Sequence, residues 1–169
     1  LDVRSAFNGV YRDAIMDAVA DVGGTIHHDG RPSPALLVGC ALYARPTRVH
    51  VADSHTFETE RGVVQGCPMG AALFDIVQAS VMSELAAVLE ERGLELHVME
   101  HDPVEVKIAS NVVYHVALHD DMTFASSSVE SLAVALEVLE GLLLRRGLTL
   151  ARHKSEIITA RDVPQTLLD

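Results

Sequence analysis

Two adjacent carboxylates, Asp120 and Asp121, interrupt the apolar, strand-like run V-A-L-H-D-D-M-T-F. Neighbouring aspartates repel each other and avoid apolar company, so a positive group must compensate them. The alternating residues on either side predict a hairpin of residues 112–118 with 122–125, carrying residues 119–121 at its tip. A divalent cation is the natural compensation, because hard cations such as Mg²⁺ bind carboxylate oxygens and share them with phosphates.

A third aspartate, Asp2, lies in L-D-V-R-S-A-F-N, which also reads as strand running into helix. Between the two sites lies R-G-V-V-Q-G-C-P-M-G, a turn-rich stretch leading into a long apolar helix pattern. One carboxylate, a Gly-Gln-Gly turn and a carboxylate pair, in that order, point to two-metal phosphoryl-transfer chemistry.

The 169 residues fit one domain and can bury a sizeable core. A hydrophobic share of 49 % is that of a globular chain and excludes disorder. No uninterrupted apolar run reaches about 18 residues, so a membrane span is not expected. The opening Leu-Asp-Val-Arg is neither a signal peptide nor an initiator, and reads as an internal edge of a longer chain. Cys40 and Cys67 make neither a disulfide framework nor a zinc spacing, which points to a reducing, intracellular compartment. The net charge of −11 argues against a generally basic, phosphate-binding surface. If the chain handles nucleic acid, its basic groups cluster locally or lie outside this sequence.

Residues 1–3 read as a strand stub and 9–22 as a helix with Val10, Ile15, Ala18, Val19 and Val22 inward. Gly23-Gly24 stops that helix, and residues 27–34 read as loop. A second helix over 35–44 has Ser33 as its cap and Pro34 at its first position. Residues 47–53 alternate like a strand. Residues 68–92 form one long helix with Leu73, Ile76, Val77, Val81, Leu85, Val88 and Leu89 buried, ended by Gly93. Strands are expected at 94–99 and 104–108 with a turn at 101–103. Ser127 or Ser128 caps a helix to about residue 146, with Leu132, Leu136, Leu139 and Leu143 inward and Gly147 at its close. A last strand pair is expected at 148–150 and 156–159. The fold class is α+β: a small antiparallel sheet packed by helices on one face, near the split βαβ scheme, with strand ends holding Asp2 beside Asp120 and Asp121.

Together these motifs resemble the palm of reverse transcriptases, particularly those of non-long-terminal-repeat retrotransposons. L-D-V-R-S-A-F-N is similar to D-x-x-x-A-F/Y, and R-G-V-V-Q-G-C-P-M-G-A-A-L-F to R-G-x-x-Q-G-x-P-x-G-x-x-L-F. L-H-D-D stands where the family has Y/F-x-D-D, and R-G-L-T-L-A-R-H-K-S-E resembles G-L-x-L-N-x-x-K-S/T-E. The resemblance runs in the family's order to about residue 160. It implies a palm with part of the fingers over about 23–60, the N-terminal fingers and thumb being absent.

The implied activity is RNA-templated DNA synthesis in a parent protein, the fragment being inactive alone. Its implied partners are an RNA template, a DNA primer and deoxynucleoside triphosphates, with no membrane. Asp2, Asp120, Asp121 and the Val3 carbonyl would hold two Mg²⁺ ions, with Mn²⁺ as a substitute. Asp121 would support the metal that activates the primer hydroxyl. Phe7 takes the steric-gate position that favours deoxynucleotides, Gln65 and Gly66 the floor beneath the nascent base pair, and Lys154 the lysine near the leaving pyrophosphate.

Three positions depart from the family pattern. Leu118 replaces an aromatic, His119 brings a titratable ring beside the aspartates, and Ala151 replaces an asparagine. With the acidity, they support an alternative: a decayed or domesticated reverse-transcriptase-like domain that binds a partner without catalysis. His27-His28-Asp29 matches no zinc spacing and reads as solvated loop. Nothing adjacent in sequence marks Cys67 as an acidic thiol.

Overall fold

The computed structural model describes residues 1–22, 31, 34–43, 45–51, 55–64, 66–99 and 109–158. The chain divides into two compact units, one of Leu1–Val3, Val81–Leu144 and Thr149–Asp169, the other of Arg4–Ser80 and Arg145–Leu148. Helices and small sheets, antiparallel and mixed, make it an α+β fold.

In the first unit a three-stranded sheet orders β4 (Glu95–Val98), β5 (Val112–Leu118) and β6 (Asp121–Ser126). β5 and β6 form the expected hairpin, with Val113 opposite Ser126 and Leu118 opposite Asp121. The loop is only His119-Asp120, so Asp121 is the first residue of its strand. β6 alternates as a half-buried strand should, Met122 inward at 2 % exposure between exposed Asp121 and Thr123. The sheet is mixed rather than wholly antiparallel: β4 runs parallel to β5, Glu95 opposite Val112 and Val98 opposite His115. The strand expected at 104–108 and its turn at 101–103 lie outside the described residues.

The closing strand pair is also different. β7 (Thr149–Leu150) pairs with β1 (Val3–Arg4), and among the described residues with nothing further along the chain. Arg152–Lys154 instead wind into a 3₁₀ turn, and residues 156–158 carry no strand. Alternation identifies a strand but not its partner, and the backbone of the distant N-terminal segment is what accepts the Ala151 N–H, at Asp2 O, 2.8 Å.

The second unit holds α1 (Ala6–Gly9), α2 (Arg12–Val22) and α3 (Pro34–Tyr43). It also holds a hairpin of β2 (Thr47–Val51) and β3 (His55–Thr59), Thr47 opposite Thr59. Only β2 is legible as a strand in sequence. Val10, Ile15, Ala18 and Val19 are buried as expected. The Gly23-Gly24 stop, the loop at 27–30 and the Ser33 cap lie outside the described residues.

α4 (Pro68–Glu91) begins on proline, whose missing N–H costs a first turn nothing. Leu73, Phe74 and Val77 are buried in the second unit, and Val81, Met82, Leu85 and Leu89 in the first; Ile76 and Val88 are only half-buried. Length and composition would let α4 cross a membrane. The fully buried stripe running its length is what a core helix presents. Its end is capped by Gly93 N–H to Glu90 O, 2.9 Å, and Leu94 N–H to Leu89 O, 2.9 Å.

α5 (Val129–Arg145) is capped by Ser128, whose Oγ accepts the Ser131 N–H at 3.1 Å. Its buried face is Ser131, Ala135, Leu139, Leu142 and Leu143, so Leu132 and Leu136 are half-buried, not central. Glu130, Glu137, Glu140 and Arg145 mark its polar side, but the apolar arc that remains is wider than one buried face, so periodicity alone leaves its rotation open. The Ser131 hydroxyl, donating to Ser110 O at 2.6 Å, is one contact that fixes it.

Two local devices hold the second unit around the R-G-V-V turn. Gly62 has φ +75°, and its N–H donates to Val10 O at 2.8 Å while Val63 N–H donates to Phe7 O at 2.7 Å. A Cβ on Gly62 would lie 2.7 Å from Asn8 Cα and from Phe7 O. Arg12, 6 % exposed, donates from Nε to Gly62 O (3.3 Å), from Nη1 to Arg45 O (2.5 Å) and from Nη2 to Thr47 Oγ1 (2.9 Å). Burial pulls its pKa below the usual arginine value, opposed by Tyr43 and Glu60.

Gly62→Ala should therefore combine left-handed strain with a backbone clash, lowering stability by about 2 kcal/mol or more. Gly66, at φ +82° with open space where a Cβ would point, should lose only about 1 kcal/mol on the same change. Urea unfolding of the two variants checks this; equal losses would show that the Asn8–Phe7 contact is not what demands glycine.

Candidate functional site

Asp2 is fixed through its main chain. Leu1 N donates to Met122 O at 2.6 Å, Met122 N–H to Leu1 O at 3.0 Å, and Ala151 N–H to Asp2 O at 2.8 Å. Asp2 thereby forms an antiparallel bridge directly opposite Asp121. Directly opposite residues share a face, with Cβ atoms about 5 Å apart. Two carboxylates more than a hundred positions apart in sequence thus face one another.

Asp2 Oδ2 is buried and accepts no hydrogen bond. Lys154 Nζ lies 3.3 Å from it, in ion-pair range but not in hydrogen-bonding geometry. The lysine is 63 % exposed and Asp2 21 %, and so wet a pair contributes about 1 kcal/mol at most. Leaving a carboxylate oxygen buried without a hydrogen bond costs about 1–3 kcal/mol or more. The lysine does not offset that cost, so the oxygen is suited to a closer cation.

Asp120 is half-buried in the turn and Asp121 exposed at the start of β6. Among the described residues no group of three His, Cys, Asp or Glu side chains is placed to hold a metal ion. Asp2, Asp121 and Lys154 are thus brought together, and Asp120 does not complete a three-carboxylate cluster with the two aspartates. His119 precedes Asp120 at φ +53°, and Ser5 follows Asp2 by three residues at φ +49°. These are the two non-glycine residues with positive φ among the described ones. Such conformations cost about 1–3 kcal/mol each and cluster at functional sites.

Val3 is a core residue of β1, 3 % exposed. Phe7 and Gly66 belong to the second unit. The Phe7 ring is half-buried and rests on Phe74, ring centres 4.9 Å apart and planes tilted by 33°. Phe7 therefore packs on Phe74 while staying only half-buried. Gly66 is exposed, and Gln65 lies outside the described residues. Leu118, in the aromatic's place, is 70 % exposed, and Ala151, in the asparagine's, is buried at 2 %.

The reverse transcriptase (RNA-dependent DNA polymerase) profile matches residues 1–166. The chain belongs to this family. A nucleotidyl transfer that copies RNA into DNA is the family's activity. No curated protein matches the chain.

Sequence reading missed Cys67. Tyr43, nearby only in the folded unit, hydrogen-bonds the thiol, and the Met69 and Gly70 amides at the start of α4 add to it; together they pull its pKa below the usual thiol value, against burial. The Tyr43 hydroxyl is pushed up, mainly by burial and then by Cys67, so the tyrosine keeps its proton. Burial pushes Cys40 up. Alkylation of Cys67 by iodoacetamide should reach half-maximal rate below the ordinary thiol pKa of about 8.5, with Cys40 slower at every pH. Tyr43→Phe should move that midpoint upward; an unmoved profile would remove Tyr43 as the cause.

Proposed function

We propose that this chain is the palm, with part of the fingers over 23–60, of a reverse transcriptase of the non-long-terminal-repeat retrotransposon type. Its parent would add deoxynucleotides to a DNA primer on an RNA template, in an intracellular setting. The observation that carries the reading is the Asp2–Asp121 bridge with its buried, hydrogen-bond-free Asp2 Oδ2, next to a turn that carries Asp120. The donor set is all oxygen, which suits Mg²⁺ or Mn²⁺. Asp2, Asp120 and Asp121 would hold the cations with the Val3 carbonyl. When bound, two such ions stabilise the attacking and leaving oxygens of an in-line displacement.

The chain's own residues supply position and charge. Asp2 and Asp121 arrive at one bridge, so their separation is set by backbone hydrogen bonds and not by flexible side chains. Lys154, 3.3 Å from Asp2 Oδ2, would compete with a cation for that oxygen and would supply positive charge to the phosphates of an incoming nucleotide. Phe7, supported by Phe74, is suited to lie under the sugar and exclude a 2′-hydroxyl. Gly66 leaves the space that a base pair's close approach requires, and Gln65 would line the same floor.

Titration of the folded chain with Mn²⁺, followed by paramagnetic NMR broadening or calorimetry, tests the cation assignment. Binding should be lost in Asp2→Ala and in Asp120→Ala, and the latter change should abolish polymerisation by the complete parent without unfolding it. A parent that still polymerises with Asp120→Ala would sink the metal assignment. Lys154→Gln should bind Mn²⁺ several-fold more tightly, because the competing ammonium is gone; weaker binding would overturn the competition.

A second reading, a non-catalytic scaffold, is favoured by the exposed Leu118 and by the lack of a three-group metal cluster among the described residues. It predicts no specific Mn²⁺ broadening at Asp2 or Asp121 even with a deoxynucleoside triphosphate present to complete the site.

A further inference from the structure

We propose that a recess in the second unit, built from residues other than the three aspartates, binds one nucleotide unit of a single-stranded nucleic acid. The recess has a volume of about 490 Å³ and is lined by Tyr11, Arg12, Arg45, Arg61, Asp13 and Glu60, among others. That volume is within the range of small-ligand clefts, about 300–1,000 Å³. None of these residues belongs to the proposed catalytic set.

Three arginines meet here in a chain whose net charge is −11, which is the local clustering a nucleic-acid contact requires of an acidic protein. Their roles differ. Arg12 is committed to the fold through its bonds to Gly62, Arg45 and Thr47, and leaves a buried positive charge beneath the recess. Arg45 and Arg61 are exposed, and among the described residues neither guanidinium is paired with a carboxylate. A guanidinium in this state presents the planar fork that suits a phosphate's oxygens. The first turn of α2, which begins at Arg12, adds its dipole in the same sense.

Tyr11 and Arg61 make the recess selective for more than a bare anion. The Arg61 guanidinium stacks over the Tyr11 ring, 4.7 Å from its centre, and the two residues are joined by a backbone bridge. A cation–aromatic stack of this kind is the platform on which unpaired bases lie in sequence-tolerant single-strand sites. The carboxylates of Asp13 and Glu60 would repel a simple anion, but accept from the amino and imino groups of a base. Phosphate donors, a stacking surface and base acceptors in one cleft match a nucleotide within a strand.

The test uses the whole chain and a fluorescein-labelled ten-residue oligo-dT or oligo-U, followed by anisotropy in EDTA. Without free divalent cations, the outcome is independent of whether the aspartates hold metal. Arg45→Gln/Arg61→Gln should weaken binding at least tenfold and reduce the salt slope by about 1.4, from ~0.7 for each lost phosphate contact. Tyr11→Ala should weaken it further, whereas Arg48→Gln, at an arginine outside the recess that pairs with Glu58, should not. Circular dichroism and urea unfolding confirm that each variant is folded. Absence of binding by the parent, or equal binding by the folded double variant, would overturn the proposal. Displacement of the strand by an equimolar octa-glutamate peptide would assign the recess to an acidic protein segment instead. Equally strong displacement by thymidine monophosphate would overturn the strand in favour of a free nucleotide.

Discussion

Backbone pairing at Leu1 and Asp2 is the contact on which the candidate site depends. Met122 holds this segment on one side and Ala151 on the other, so a two-residue stretch joins β6 to the segment after β7. Without that ladder, Asp2 would be an ordinary solvated aspartate. With it, the carboxylate stands opposite Asp121 and one of its oxygens is withdrawn from water. Hydrogen bonds between main-chain groups are individually worth only about 1 kcal/mol, but here their geometric effect matters more than their energy.

The chain handles buried charge in two ways. Arg12 is buried and satisfied: three of its nitrogens donate to oxygens supplied by Gly62, Arg45 and Thr47, and the residue ties the start of α2 to the hairpin and to the R-G turn. Asp2 is partly buried and unsatisfied, with only an exposed lysine in reach. The first arrangement is what a structural charge looks like, because every donor lost would leave a buried ion exposed to its desolvation cost. The second leaves an oxygen with room for a closer partner. The same contrast separates Gly62, whose missing Cβ is demanded by packing, from Gly66, whose missing Cβ leaves open space.

Much of this was legible in sequence where the signal is local. The β5–β6 hairpin, the α4 stripe through Leu73, Val77, Val81, Leu85 and Leu89, its end at Gly93 and the cap at Ser128 all depend on residues within a turn or two of each other. The errors have a common cause. β7 reads as pairing with a following strand and pairs with β1 instead; α5 reads as turned toward Leu132 and Leu136, while its buried face is centred on Ala135, Leu139 and Leu142. Each of these choices is made by a surface distant in the chain, which periodicity does not encode.

Four short motifs in fixed order identify the family, and residues whose spacing sets which side of a helix or strand is apolar establish the α+β character. The sequence by itself also determines which chemical groups are present: three aspartates, a lysine and a phenylalanine in the motif positions. That Asp2 faces Asp121, that Lys154 reaches Asp2 and that Tyr43 lowers the pKa of Cys67 follow from the folded chain alone. So does the gathering of Tyr11, Arg12, Arg45 and Arg61 from three separate segments around one recess. Such relations rest on distances across the fold, and Coulomb and hydrogen-bond energies depend on those distances rather than on separation along the chain.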